Sequence, residues 1–202
     1  MSKFAGFTIG ILALQGDFEK HQEQVCRLGA EYRLVKLPED LLGLDGIILP
    51  GGESTTMSIL LDKHKLRQPL KQFATEYPVY GTCAGMIMLA KTIADNQSFV
   101  ESLGLMDIDV LRNGYGRQVF SSEERLAAEL PGFSGEIEAT FIRAPRVIRY
   151  GQNVTPLVWY GQDAVLLRQG NLLASSFHNE LGTDTTVLRF FLSHFLGDKQ
   201  LS

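Results

Sequence analysis

Along the first eighty residues, apolar runs alternate with mixed stretches. Residues 8–14 are apolar at odd and even positions alike, the pattern of a strand buried on both faces. Gln15-Gly16-Asp17 then turns the chain. Asp17 is placed to cap a helix reaching about Leu28, with Gly29 as its stop. A second strand is expected over 32–37, halted by Pro38, and a third over 45–49, ending at Pro50-Gly51-Gly52. Ser54-Thr55-Thr56 can cap the next helix, which carries Met57, Ile59, Leu60 and Leu61, and helical period continues over 66–74. Residues 78–80 form a short fourth strand. Strand–helix alternation of this kind marks an α/β sheet.

Beyond residue 100 the rhythm changes. Runs at 105–111, 135–142, 146–150, 157–160, 164–167 and 171–177 read as strands joined by short Gly, Pro or Asn turns. They predict an antiparallel or mixed extension of the same sheet. A closing helix is expected over about 184–196, with Phe190, Phe191 and Phe195 placing an apolar face on the core.

Composition narrows the class. At 202 residues the chain is expected to fold as one domain, 1–202, with a core that needs neither disulfide nor metal. A net charge of −4 offers no basic footprint for nucleic acid. Two cysteines, Cys26 and Cys83, make neither a disulfide framework nor a zinc site and fit a reducing compartment. The helical setting of Cys26 suggests a buried or half-buried packing role. With no signal-peptide pattern and no apolar run of membrane-spanning length, the expected location is the cytoplasm, away from any membrane. No cofactor or metal is called for.

The candidate chemistry starts at Gly81-Thr82-Cys83-Ala84-Gly85, between the strand at 78–80 and the apolar segment 86–90. This is a nucleophile-elbow pattern with a thiol as nucleophile. The flanking glycines admit a strained turn, and the following helix aims N–H groups at the sulfur and favours thiolate. Taken alone, the pentapeptide fits a buried structural cysteine equally well.

A thiol nucleophile needs a base, an orienting group and an oxyanion hole. Of the four histidines, His21 lies in Glu19-Lys20-His21-Gln22-Glu23 and is expected to face solvent; His64 sits in a charged run, and His194 in the last helix. His178 follows the apolar strand 172–177, where open α/β sheets place functional groups. Glu180, two residues on, falls on the same side of an extended chain and can accept from the histidine Nδ1–H. The Ala84 N–H and the Gly51-Gly52 turn are candidate oxyanion donors.

Six segments together resemble the triad class of glutamine amidotransferases, and within it the glutaminase subunits of pyridoxal 5'-phosphate synthase. They are Ile11-Leu12-Ala13-Leu14-Gln15-Gly16, Leu49-Pro50-Gly51-Gly52-Glu53-Ser54-Thr55-Thr56, Gly81-Thr82-Cys83-Ala84-Gly85-Met86, Arg112-Asn113 with Gly116-Arg117-Gln118, Phe141-Ile142-Arg143-Ala144-Pro145, and Phe177-His178-Asn179-Glu180-Leu181. They span almost the whole chain, in order. The resemblance implies a flavodoxin-like, three-layer α/β fold: an open mixed sheet flanked by helices, with a nucleophile elbow. It implies that Cys83, His178 and Glu180 form the triad; the oxyanion hole expected beside it is made by Gly52 and Ala84. Gly51, Gly52, Glu53, Arg117, Ile142 and Arg143 would contact L-glutamine. It further implies a partner, the barrel subunit of the synthase, as acceptor of the ammonia.

Two positions depart from the family pattern. Asp17-Phe18 replaces a small apolar residue, near where these proteins meet their synthase, and Tyr115 stands where Phe is frequent. The rival readings are a glutaminase serving another synthase, such as that for imidazole glycerol phosphate, and a non-enzymatic redox sensor or chaperone built on the elbow cysteine. Gly116-Arg117-Gln118 and Phe141-Ile142-Arg143-Ala144-Pro145 argue against the first, and the His-x-Glu pair against the second. A regulatory subunit without catalysis is disfavoured by the presence of all three triad residues.

Overall fold

The structure is a computed structural model and describes residues 3–95, 100–115 and 121–197. The first half runs β1 (Thr8–Leu12), α1 (Phe18–Arg27), β2 (Glu31–Val35), a 3-10 turn (Pro38–Leu41), β3 (Gly46–Leu49), α2 (Ser54–Lys63), α3 (Arg67–Phe73), β4 (Val79–Thr82) and α4 (Ala84–Leu89). Then follow β5 (Ala90–Ile93), β6 (Met106–Leu111), β7 (Ser122–Leu130), β8 (Phe133–Phe141), β9 (Arg146–Tyr150), β10 (Thr155–Tyr160), β11 (Asp163–Gln169) and β12 (Leu172–Ser175). The last helix, α5 (Thr186–Phe191), passes into a π-helical turn (Leu192–Leu196).

Among the described residues the strands form a nine-stranded sheet, ordered β2-β1-β3-β4-β12-β11-β10-β7-β8, and a three-stranded one, β5-β6-β9. From β2 to β12 all neighbours are parallel. From β12 onward they are antiparallel. The sheet is therefore mixed, as expected, and β12 from the end of the chain lies directly beside β4.

Two buried clusters, one on each face, explain the uninterrupted apolar runs. On β3, Ile47 and Leu49 join the cluster with Met57 and Leu61 of α2 and Leu70 of α3. Ile48 points the other way, into the cluster with Val25 of α1 and Val187, Leu188 and Phe191 at the end of the chain. Each fully buried side chain of this type stabilises the fold by about 1.5–3 kcal/mol relative to exposure. Phe190 and Phe191 are buried and Phe195 packs against the same cluster, as the pattern predicts.

Several local expectations are corrected. Strands β5 and β7 were not anticipated. The first half of β7 alternates half-buried and exposed positions with no apolar stripe, and only Leu126, Ala128 and Leu130 are buried. The small sheet β5-β6-β9 is a separate element, not an extension of the large one. Asp17 occupies the N-cap of α1, but its side chain makes no capping hydrogen bond. The cap of α2 is Glu53, not the Ser-Thr-Thr run: its carboxylate accepts from the N–H groups of Thr55 (3.0 Å) and Thr56 (2.6 Å). Cys26 is exposed, not buried. No helix among the described residues is long and apolar enough to cross a membrane.

Candidate active site

Cys83 sits between β4 and α4 with φ 50° and ψ −104°, outside the basins open to L residues. Such a conformation costs roughly 1–3 kcal/mol and persists only where its surroundings enforce it. Here the Cys83 N–H donates to the Ser175 carbonyl of β12 at 2.8 Å, and the Cys83 carbonyl accepts from Ile87 N–H at 3.2 Å. The flanking glycines are a matter of space. A Cβ on Gly81 would stand 2.6 Å from the Gly85 carbonyl carbon, and one on Gly85 would strike the Leu49 carbonyl oxygen. Ala84 opens α4, so its N–H is among the helix's orphan donors.

His178 lies just past β12, and its main chain pairs with Thr140 of β8 through two hydrogen bonds of 2.8 and 3.2 Å. Glu180 Oε1 is 2.6 Å from His178 Nδ1, and both side chains are buried. Burial alone would push the His178 pKa down. The Cys83 and Glu180 side chains facing it favour the charged ring, overcome this and raise its pKa to about 10. Glu180 is desolvated too, yet the two imidazoles beside it, His21 and His178, hold its pKa below the usual carboxylate value.

The loop after β3 closes the site from the other side. Gly51 runs against the His178 ring: a Cβ there would overlap the imidazole Cε1 and stand 3.1 Å from Nδ1. Gly52 has φ +134°, a conformation glycine adopts without strain. The Gln15 Oε1 accepts the Glu53 N–H at 2.9 Å and ties the β1 turn to this loop. Burial works against the Glu53 carboxylate, but the Thr55 and Thr56 hydrogen bonds bring its pKa down to about 2. Arg112 Nη2 reaches Glu53 Oε1 at 3.2 Å.

Gly52, Glu53, Cys83, Ile142, Arg143 and His178 line one cleft of about 170 Å³. That is below the few hundred Å³ of drug-sized pockets and fits a small, polar metabolite. The Ile142 carbonyl is 3.9 Å from the Cys83 Sγ, within reach of a weak S–H donation. Arg143 is exposed at the cleft, with φ 44°. Asp17, Ser54, Ile87, Arg112 and Asn113 also line it, and none of the five is among the site residues expected from the sequence. Arg117 lies outside the described residues. His64 and His194 do not line the cleft; His194 stacks on Phe190, with ring centroids 5.0 Å apart.

His21 is the clearest departure from expectation. It is 1 % exposed, not solvent-facing, and its Nε2 stands 3.5 Å from Glu180 Oε1. Its signal was hidden because the buried face of α1 carries polar residues, His21 and Gln24 beside Val25. Only a pairing of that face with a polar segment elsewhere in the chain would have revealed it.

The arrangement is that of an α/β protein of the nucleophile-elbow class, with a thiol, an imidazole and a carboxylate in series, able to open an amide by acyl transfer. The chain belongs to the SNO glutamine amidotransferase family, whose model matches residues 11–197. It is 47% identical over 186 residues to the pyridoxal 5'-phosphate synthase subunit PdxT of Thermosipho africanus, covering 92% of this chain and 97% of that one. The PdxT subunit of Geobacillus thermodenitrificans is 46% identical, with coverage of 92% and 93%. A crystal structure of a glutamine amidotransferase superposes with a TM-score of 0.86 at 43% identity, over 92% of this chain and 97% of that one. PurLQS from Thermotoga maritima, at 16% identity and TM-score 0.69 over 93% and 98%, shares the fold.

Proposed function

We propose that this chain is the glutaminase subunit of a pyridoxal 5'-phosphate synthase and works in the cytoplasm as one domain, 1–202. It hydrolyses L-glutamine to L-glutamate and ammonia, and the ammonia passes to a separate synthase subunit. The observation that carries the catalytic reading is His178, which lines one cleft with Cys83 and has its Nδ1 2.6 Å from Glu180 Oε1.

The Cys83 thiolate attacks the side-chain carboxamide carbon while the carbonyl oxygen takes up negative charge. The N–H groups of Ala84 and Gly52 are the donors for that oxyanion. The His178 imidazolium gives its proton to the departing nitrogen, the C–N bond breaks, and ammonia leaves a γ-glutamyl thioester on Cys83. Neutral His178 then takes a proton from water as hydroxide adds to the thioester. Glutamate departs, and the thiolate–imidazolium pair is restored. Glu180 keeps the imidazole oriented and supports its positive charge throughout.

Substrate selection falls to the cleft walls. Glu53, held ionised by its capping bonds, provides an anion for the α-ammonium, and Arg143 a guanidinium for the α-carboxylate. Ile142 flanks the aliphatic stem, and Gly51 and Arg117 are assigned to the substrate by family resemblance. Ammonia released into neutral water would become ammonium, which has no lone pair to donate. Transfer inside a complex with the synthase barrel avoids that loss.

The test is glutamate release from glutamine by this chain mixed with a pyridoxal 5'-phosphate synthase barrel subunit, with Cys83→Ala alongside. Turnover that needs the barrel subunit and vanishes in the variant is expected. A folded wild-type protein with no turnover in the mixture would overturn the assignment.

A further inference from the structure

His21, on α1, sits behind the triad and has no part in the chemistry above. Its Nε2 lies between two oxygens, Thr82 Oγ1 at 3.4 Å and Glu180 Oε1 at 3.5 Å. A bare Nε2 would set its lone pair against the carboxylate. The favoured tautomer therefore carries the proton on Nε2 and leaves Nδ1 bare, and Nδ1 has no partner among the described residues. The same oxygen, Glu180 Oε1, takes the His178 Nδ1–H at 2.6 Å. One carboxylate oxygen thus faces two imidazoles.

We propose that His21 is a positioning residue for this glutaminase: its Nε2–H holds the buried Glu180 carboxylate in place and ionised, so that Glu180 can orient His178. The proposal rests on the functional reading above and extends it to a fourth side chain. The charged and titratable groups around His21 are Glu180 and His178 beyond β12, Asp17 at the start of its own helix, and Tyr80 of β4, edge-on at 6.5 Å. Burial is the leading influence on His21 and holds its pKa below the usual histidine value, against the pull of the Glu180 charge.

The rest of α1 separates this role from simple packing. One helix face, at spacing three, grips the segment after His178. Gln24 Nε2 donates to the carbonyls of Asn179 (3.1 Å) and Asp184 (2.8 Å), and Arg27 Nη1 to that of Thr183 (3.1 Å). Gln24 and Arg27 fix the backbone, whereas His21 alone on this face meets the carboxylate. Removing the His21 donor therefore leaves the segment anchored and frees the acid, along with the Thr82 hydroxyl.

The experiment compares His21→Leu, which keeps bulk without a donor, with His21→Gln, whose amide N–H replaces Nε2–H. Two readouts are taken: kcat and KM for glutamine with the synthase barrel present, and the pH dependence of Cys83 alkylation by iodoacetamide with the chain alone. His21→Leu is expected to lower kcat about tenfold or more, with KM unchanged, as befits loss of one polar contact to a buried charge. It also moves the acid limb of alkylation to higher pH by roughly half to one unit, because Glu180 then protonates more readily. His21→Gln restores most of the rate and returns the limb toward wild type.

Wild-type kinetics in His21→Leu, or equal losses in both variants with an unmoved acid limb, would overturn the proposal and leave His21 a packing residue. If His21→Leu does not fold, His21→Asn takes its place, since its amide is too short to reach the carboxylate and should behave as the donor-less variant. A wild-type chain silent toward glutamine would sink the glutaminase reading instead. The alkylation profile would still decide the role of His21.

Discussion

Replacing Cys83 by glycine should stabilise the protein relative to replacing it by alanine, the reverse of what a buried position normally shows. Both variants lack the thiol, so the comparison isolates the backbone. At an ordinary buried site, alanine to glycine loses about 0.8 kcal/mol for the methyl group. It loses roughly 0.5–1 kcal/mol more in chain entropy. Cys83, however, holds φ 50° and ψ −104°. That pair lies outside every L basin, so relief of strain belongs in the upper part of the usual range, about 2–3 kcal/mol. The balance favours Cys83→Gly by about 0.5–1.5 kcal/mol, or a few degrees in Tm for a chain of this size. Urea unfolding of the two variants, with equal m-values, reads the difference directly. A glycine variant less stable than the alanine variant by about 1 kcal/mol or more, the ordinary penalty, would show that the elbow stores no strain.

Three further outcomes are expected. Glu53→Gln should lower stability by about 1 kcal/mol at neutral pH, a capping-sized loss limited by the half-exposed side chain. The Glu53 pKa is depressed from 4.5 to about 2, so its contribution is complete above 4.5 and fades as pH falls through 2; urea titrations at pH 7 and pH 3 should show the gap to Glu53→Gln narrowing. His178 is raised from 6.5 to about 10, so the stability linked to its proton is complete below 6.5 and is lost as pH rises through 10; wild-type Tm should fall over this window more steeply than that of His178→Gln. Gly51→Ala sets a methyl group against the imidazole ring and should cut glutamine turnover about a hundredfold while circular dichroism stays native.

How much of this was legible in the sequence depended on what each element faces. Strands β1, β3 and β4 are buried on both sides of the sheet, so their runs are apolar throughout and easily read. The elbow was equally plain, because glycines crowded by backbone on both sides of Cys83 leave a fixed spelling. His178 and Glu180 could be paired from spacing alone, since two residues of extended chain bring side chains to one side. His21 could not, for its burial depends on a segment more than 150 residues away whose exposed backbone asks for polar partners. The cap of α2 was missed for a related reason. Glutamate is not a favoured N-cap, but Glu53 reaches both first-turn amides and is steadied by Arg112 across the cleft. The start of β7 carries Glu123, Glu124 and Arg125 and is held by its ladder with β8 rather than by burial, so no hydrophobic stripe marked it.

The place of β12 beside β4 has a consequence for a chain still being synthesised. Strands β2, β1, β3 and β4 can pair as soon as they emerge, but the free side of β4 is then an open edge of four residues that are all buried in the finished molecule. Its partner is complete only at residue 175, more than ninety positions later. The carbonyl that fixes the elbow, that of Ser175, arrives at the same moment. Until then Cys83 lacks one of the two main-chain hydrogen bonds that hold its strained turn, and the half-made sheet presents the kind of edge that invites pairing with another growing chain. The nucleophile thus gains its full support only where the two halves of the sequence close on each other, and a translational pause between the two strands would delay that support.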